Sequence, residues 1–493
     1  MAQQLQEPVA VVCTSGSALL NYYPAVAEAF YSDIPLIVVS SDRPRYSIDI
    51  GDGQTIRQEN VFEKHIGYST NLKQDISHAR ESISKFGPTL LKEKQEEIQA
   101  YNEEELEKAV EMACLERTPV HINIPFEEPL YGSVKTPSVK IPHTESKVAQ
   151  KPNKGNWDEF CSIWKNSPRK MVLVGVNPPN SMEAGVLETL ANDGDTLVFT
   201  ETTSNLHHSS FFPSIDSIIA PIEKSKNREE LFQDLQPDLL ITFGGMIVSK
   251  KIKAFLRKYR PKTHWHIDPK KAYDTFFCLS NHIKAHPNDF FKQIGTSPHK
   301  PGMYKANWMV IKATHEKGRE TYLKQIPFTD FTVFDQVQGS IPNGYQVHLA
   351  NSSTVRYAQL FSMHRSLKVY CNRGTSGIDG STSTAVGASI HADGPTLLIT
   401  GDLSFLYDSN GLWNAHIRQD FRIIIINNSG GGIFRILPGK EDTEEFSTFF
   451  ETHHSLVMED LNKGSGLTSP KVMTKELEDA PNGLDIQNQN SRF

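Results

Sequence analysis

Apolar residues along this chain gather in short uninterrupted runs. The runs are VAVVC (9–13), LIVVS (36–40), VHINI (120–124), MVLVGV (171–176), TLVFT (196–200), LLITF (239–243), YQVHLA (345–350), LKVYC (367–371), TLLIT (396–400) and RIIII (422–426). Most are rich in Val and Ile and lack period-two alternation. That is the pattern of strands buried on both faces, as in parallel sheets. Helix-like segments lie between them, for example SALLNYYPAVAEAF and EEELEKAVEMAC. Strand–helix alternation predicts an α/β fold built of doubly wound parallel sheets.

Two stretches break the pattern. Residues 127–157 are rich in Pro, Lys and Ser, and residues 295–307, GTSPHKPGMYKAN, are similar. Both read as linkers. They divide the chain into three expected α/β units, 1–135, 158–295 and 330–493. A length of 493 residues is enough for several domains with real cores.

Composition removes several classes of function. Hydrophobic content is 38% and charged content 22%, as in a soluble globular protein. No apolar run is long enough for a transmembrane helix, and the start MAQQLQEPVA lacks a basic end and an apolar signal core. A cytoplasmic protein with no membrane partner is expected. The net charge of −7 argues against a nucleic-acid partner. The five cysteines, Cys13, Cys114, Cys161, Cys278 and Cys371, are scattered without a CxxC, which fits a reducing compartment and core roles. CTSGSA is not a G-x-S-x-G elbow and reads as a strand-to-helix turn, with Ser15–Gly16–Ser17 capping the helix. HWHID (264–268) and the pairs His207–His208 and His453–His454 lack metal-ligand spacing, and both pairs read as surface histidines. The central unit holds no G-x-G-x-x-G, so a dinucleotide is poorly supported there.

Two apolar runs end on polar residues. Asp402 follows TLLIT by one residue, and Asn427–Asn428 follow RIIII, with 25 positions between Asp402 and Asn427. That interval suits one helical crossover between neighbouring parallel strands. Ligands of open parallel sheets bind beyond the carboxyl ends of the strands. A carboxylate, an amide oxygen and a backbone carbonyl from the glycines 430–432 make the hard-oxygen set that Mg²⁺ takes. Gly401 and Ser404 supply donors for a phosphate. Taken one at a time, each of these residues is an ordinary turn or cap residue. Together they read as a metal–diphosphate clamp.

Gly-Asp followed about 25 residues later by Asn-Asn resembles the motif of the thiamine diphosphate enzymes. The resemblance implies pyrimidine-binding, central and diphosphate-binding domains. It also implies Mg²⁺ (or Mn²⁺) held by Asp402, Asn428 and the Gly430 carbonyl. Further motifs narrow the resemblance: CTSGSALLNYYPAVAEA (13–29), SSDRPRYSIDIGDGQTIRQ (40–58), CNRGTSGIDGSTSTAVG (371–387), and GDLSFLYDSN with NNSGGGIFRILP. Over roughly residues 1–455 the chain is similar to the 2-succinyl-5-enolpyruvyl-6-hydroxy-3-cyclohexene-1-carboxylate (SEPHCHC) synthases of menaquinone biosynthesis.

That family decarboxylates 2-oxoglutarate on the cofactor and adds the resulting succinyl-semialdehyde carbanion equivalent 1,4 to isochorismate. Both substrates are dianions, for which arginine forks are suited. The resemblance implies substrate contacts from Arg43, Gln54, Ser352, Arg356 and Arg373, with Lys250 and Lys251 facing isochorismate. An ordinary solvated helix face is the other reading of those two lysines. Ile433, Phe434 and Leu437 would wall the thiazolium, and Ile378 would bend the cofactor. Gly377, Gly401, Leu403 and Ser404 complete the implied cofactor contacts. A homodimer or homotetramer is implied, because the family's cofactor lies between subunits.

Two departures from the family leave alternatives open. The family's activating glutamate lies before the segment matching AQQLQEPVAVVCTSG, so a pyrimidine domain incomplete at its N-terminus is expected. Residues after about 455 are polar and lack a strand-like run, and read as an atypical tail. The alternatives are another thiamine diphosphate 2-oxoacid decarboxylase or synthase, and an inactive cofactor-binding remnant.

Overall fold

Each of the ten Val- and Ile-rich runs becomes a strand in the computed structural model, which describes residues 1–127, 133, 135, 157–295, 302–436 and 443–456. The chain divides into two compact units. One comprises Met1–Gln150 with Gly374–Ser376, and the other Lys151–Arg373 with Gly377–Phe493.

In the first unit the strands are β1 (Val9–Cys13), β2 (Leu36–Asp42), β3 (Tyr68–Asn71) and β4 (Val120–Pro125). They form a parallel sheet in the order β1-β2-β4-β3. The helix Gln95–Glu116 buries Ile98, Ala109 and Ala113, one stripe of an otherwise charged surface. Ala109 and Ala113 pack on Leu72, Val120 and Ile122 of the sheet side. β1 alternates between half-buried and exposed positions, unlike the two-sided burial expected of it. It is an edge strand of this sheet, and the face that carries Ala10 and Val12 is exposed. The turn after β1 also departs from expectation. No serine side chain caps the helix Ser17–Leu20; the Gly16 N–H, at φ +87°, donates to Gln58 Oε1 at 2.8 Å.

The second unit carries two sheets. β5 (Lys170–Val174), β6 (Thr196–Phe199), β7 (Leu239–Phe243), β8 (Thr263–Ile267) and β9 (Asn281–Ile283) run parallel in the order β6-β5-β7-β8-β9. β5, β6 and β7 are buried at every position. Their alternate side chains feed two separate apolar clusters, with Val172, Val198 and Ile241 in one and Met171, Leu197 and Leu240 in the other. Each such buried aliphatic side chain contributes about 1.5–3 kcal/mol. The last sheet holds β10 (Gln346–Leu349), β11 (Lys368–Tyr370), β12 (Thr396–Gly401) and β13 (Phe421–Ile426), parallel in the order β11-β10-β12-β13. Successive strands are added on opposite sides of β10, so the topological switch point lies between β10 and β12.

The expected linkers fare differently. Most of 127–157 lies outside the described residues. Residues 303–307, expected in a linker, instead open the 21-residue helix Met303–Leu323. Tyr304 and Lys305 are buried there, and Lys305 Nζ donates to the Ala191 and Asp193 carbonyls. Burial of the Tyr304 ring, with its hydroxyl bonded to the Leu235 carbonyl, and of an ammonium held by two carbonyls outweighs the Pro- and Gly-rich composition just before it. Among the described residues no helix is long and apolar enough to cross a membrane.

Candidate active site

Parallel pairing sets Gly401, the last residue of β12, beside Ile426, the last of β13. The next residues, Asp402 and Asn427–Asn428, therefore leave the sheet side by side. Asp402 opens the helix Asp402–Tyr407 and is almost wholly buried. Its Oδ1 accepts from the Leu403 N–H at 2.8 Å, and its Oδ2 from the Gly430 N–H at 2.9 Å. Asn428 donates through Nδ2 to Asp330 Oδ2 at 3.1 Å, which fixes the orientation of the amide. The opposite atom, Asn428 Oδ1, is buried and has no hydrogen-bond partner. A buried orphan acceptor costs about 1–3 kcal/mol unless a ligand satisfies it. Asp402, Asn428 and Gly430 line one cavity, with Thr354, Ile378 and Ser404.

Gly430 needs its glycine. Its φ is +148°, and a Cβ there would lie 2.5 Å from the Glu451 carbonyl oxygen. Among the described residues no cluster of three or more His, Cys, Asp or Glu side chains is placed to hold a metal. A cation site in this cavity therefore draws on amide and carbonyl oxygens as well as the one carboxylate, the set a hard cation accepts. These donors fit a divalent cation, and the residues around them fit a diphosphate. Ser404 Oγ donates to the Ile378 carbonyl at 2.5 Å, joining the 377–378 segment to the start of the Asp402 helix. Ile433 is buried, and Phe434 packs edge-on against Phe450 at 5.8 Å between ring centroids. Leu437 lies outside the described residues.

Beyond β10 and β11 the chain gathers cations. Asn351, 2% exposed, donates to the Asn372 and Gly377 carbonyls, each at 2.7 Å, and accepts from Arg373 Nη1 at 2.7 Å. Arg373 is thereby held although it is itself buried. Ser352 follows at φ +67°, ψ −126°, a strained conformation of the kind that collects at functional sites. Arg356 Nη1 donates to the Val248 carbonyl at 3.2 Å. Burial, and then the nearby Arg373, push the Arg356 guanidinium below its ordinary range.

The counter-charges come from Glu201 and Asp216. Glu201 accepts from the Val248 and Ser249 N–H groups at 2.8 and 2.7 Å. Burial pushes its carboxyl up to about 7 against the pull of those two donors. Asp216 is also raised by burial, and accepts from Ser249 Oγ. Ser249 Oγ in turn accepts from the Ile252 N–H at 3.1 Å and caps the helix Lys250–Lys258. Lys250 is exposed at that helix start, and Lys251 pairs with Glu223. Lys253 of the same helix is lowered by burial.

In the first unit, Arg43 Nη2 donates to Gln54 Oε1 at 3.0 Å, and Gln54 sits at φ +57°. The structure thus brings Arg43 to Gln54, and Arg356 and Arg373 to one charged cluster. Asn351, Glu201 and Lys253 escaped the sequence reading. A lone Asn in LANSS and a lone Glu in TETTS carry no pattern that separates them from turn residues.

One expectation is overturned. His454 is not a surface histidine: its side chain is 12% exposed and its Nε2 lies 3.1 Å from Asp402 Oδ2. The segment 451–454 folds back on the Asn428–Gly431 loop, which no local pattern announces. His207 is exposed, as expected. It lines a separate cavity of about 640 Å³ with His208, His364 and Arg365. That cavity is larger, but it lacks the Asp402, Asn428 and Gly430 donor set.

Comparison with known proteins gives the family. Residues 1–66 match the family model described as the thiamine pyrophosphate enzyme, N-terminal TPP binding domain, and residues 351–483 match the C-terminal TPP binding domain. The fold and site define a thiamine diphosphate (thiamine pyrophosphate) enzyme. The relatives are more specific. A SEPHCHC synthase of Christiangramia forsetii is 53% identical over 466 residues, covering 92% of this chain and 79% of the relative. The synthase of Flavobacterium johnsoniae is also 53% identical, covering 94% and 79%, and that of Porphyromonas gingivalis 35%, covering 95% and 80%. The chain belongs to the SEPHCHC synthase family. Among solved structures, the benzoylformate decarboxylase of Polynucleobacter necessarius matches with a TM-score of 0.63 at 15% identity, covering 97% of this chain and 85% of that one. At that identity the match speaks for the fold alone.

Proposed function

We propose that this protein is a cytoplasmic SEPHCHC synthase of menaquinone biosynthesis. It takes 2-oxoglutarate and isochorismate and releases SEPHCHC and CO₂. The observation that carries the reading is the pair Asp402–Asn428 on neighbouring strand ends, with the Asn428 oxygen buried and unbonded, in a chain of this family.

Asp402 Oδ1, Asn428 Oδ1 and the Gly430 carbonyl would hold Mg²⁺ (or Mn²⁺). Gly401, Leu403 and Ser404 would meet the diphosphate of the cofactor, and Gly377, Ile378, Ile433, Phe434 and Leu437 its ring system. When bound, thiamine diphosphate supplies the carbon nucleophile and the electron sink for decarboxylation.

The chain's own residues bind and orient the two dianions. Arg373 is buried and Arg356 half-buried, like charges with Glu201 and Asp216 near them, so an incoming carboxylate relieves repulsion that the fold maintains. Ser352 adds a hydroxyl beside them, and Arg43 with Gln54 forms a second anion fork. Lys250 and Lys251, at the start of a capped helix, would face isochorismate. Self-association as a homodimer or homotetramer belongs to the same reading.

The test is donor specificity. The protein is given thiamine diphosphate, Mg²⁺ and isochorismate with 2-oxoglutarate, pyruvate or benzoylformate in turn, and products are weighed by mass spectrometry. Adduct from 2-oxoglutarate alone is expected. Turnover of pyruvate or benzoylformate in preference to 2-oxoglutarate would replace the proposed substrate.

A further inference from the structure

The strand-end motif does not account for what stands behind Asp402. Its carboxylate has four lone-pair sites. Oδ2 uses two, on the Gly430 N–H and the His454 ring, and Oδ1 uses one on the Leu403 N–H. One site remains, on Oδ1.

The tautomer of His454 follows from its second contact. The Leu456 N–H donates to His454 Nδ1 at 3.3 Å, so Nδ1 is the acceptor and Nε2 carries the hydrogen given to Asp402. The same segment grips the neighbouring loop. The Gly431 N–H donates to the Glu451 carbonyl at 2.6 Å, and the His454 N–H to the Ser429 carbonyl at 3.4 Å. The Glu451 carboxylate, itself buried, meets Arg435 at 3.3 Å and His453 at 2.7 Å. The segment 451–454 is thus bonded both to the carboxylate and to the turn that presents the Gly430 carbonyl.

We propose that His454 is the positioning residue of the cation site. Its Nε2–H occupies Asp402 Oδ2 and turns the open lone pair of Oδ1 to the cavity, and residues 451–454 fix the Ser429–Gly431 turn beside it. Groups that hold a ligand's carboxylate in this way set metal affinity, and their loss typically costs 10–100-fold. The inference rests on Asp402, Asn428 and Gly430 being the cation-holding set.

The test is Mn²⁺ binding in the presence of thiamine diphosphate, read from the free-ion signal in electron paramagnetic resonance. Wild type, His454→Ala, His454→Gln and Asp402→Ala are compared, each checked for folding by circular dichroism. His454→Ala is expected to raise the Mn²⁺ dissociation constant about 10–100-fold, while cofactor binding at saturating Mn²⁺ stays within about threefold of wild type. His454→Gln, whose amide N–H still reaches Asp402, recovers most of the loss. Unchanged or tighter Mn²⁺ binding in His454→Ala overturns the proposal, because His454 then stands idle or competes with the cation. Equal losses in His454→Ala and His454→Gln overturn it too, since the donated hydrogen is then not the cause. If Asp402→Ala binds Mn²⁺ as wild type does, the cation set itself is wrong and both readings fall.

Discussion

Replacing Asn351 by alanine removes the post on which the cationic pocket hangs. The side chain is buried and makes three strong bonds, to the Asn372 carbonyl, the Gly377 carbonyl and Arg373 Nη1, each at 2.7 Å. Two buried carbonyls left unsatisfied cost about 1–2 kcal/mol each, and a buried guanidinium deprived of its acceptor about 1.5–3 kcal/mol. Water entering the space left by the amide recovers part of this, so the net loss is set at about 3–5 kcal/mol. For a unit of this size that lowers the melting temperature by roughly 10 °C. Function falls further than stability, because Arg373 loses its fixed direction. Well below the melting temperature, KM for 2-oxoglutarate or isochorismate rises at least about tenfold, the equivalent of 1.4 kcal/mol. Asn351→Asp separates the two effects. It keeps an acceptor for Arg373 but sets a carboxylate against two carbonyl oxygens, so stability falls while KM stays nearer wild type. Urea unfolding and steady-state kinetics of both variants decide the matter. An Asn351→Ala protein within 1 kcal/mol of wild type and with unchanged KM refutes the assignment of Asn351 as a hub.

Three further predictions follow from the same contacts. Gly430→Ala places a Cβ 2.5 Å from the Glu451 carbonyl, so the turn shifts and cofactor-dependent thermal stabilisation is lost, which differential scanning fluorimetry with and without Mg²⁺ and thiamine diphosphate reads directly. Glu201 has a folded-state pKa raised by burial to about 7, so its contribution to stability is full below about 4.5 and is lost as pH rises through 7. Glu201→Gln therefore gains on wild type by about 2–3 kcal/mol between pH 5 and pH 8, measured as the difference of their unfolding free energies at the two pH values. His264 and His348 run the other way: burial lowers them to about 4 and about 3, so the stability they contribute above 6.5 is lost on acidification, and His348→Gln flattens the acid side of the stability curve.

How much of this was legible in the sequence differs by element. Ten strands announced themselves as apolar runs, most of them rich in Val and Ile; in β5, β6, β7 and β10 burial at every position leaves little room for polar residues, whereas β1 kept the apolar run without that burial. β3, β8 and β9 did not. YSTN, THWHI and NHI carry polar residues that the structure satisfies locally, as where Thr242 Oγ1 meets His264 Nε2 at 2.9 Å inside the sheet. The placement of Asp402 and Asn428 at adjacent strand ends was legible because a crossover of that length joins neighbouring parallel strands. Asn351 follows its strand in the same way, yet LANSS reads as a common turn. Glu201 and His454 act on partners 47 and 52 positions away, and no local pattern records such contacts. The linker 295–307 was misread from residue 303 onward, because the composition of its first half hid the start of a long helix.

The central claim is that decarboxylation and carbon–carbon bond formation are coupled on this chain. The measurement that tests it most directly is stoichiometry: CO₂ released from labelled 2-oxoglutarate against isochorismate consumed, with thiamine diphosphate and Mg²⁺ present, in wild type and Asp402→Ala. The account predicts one CO₂ per isochorismate in wild type, SEPHCHC as the product, and loss of both signals in Asp402→Ala. CO₂ released while isochorismate remains untouched would mark a plain 2-oxoacid decarboxylase and contradict the account.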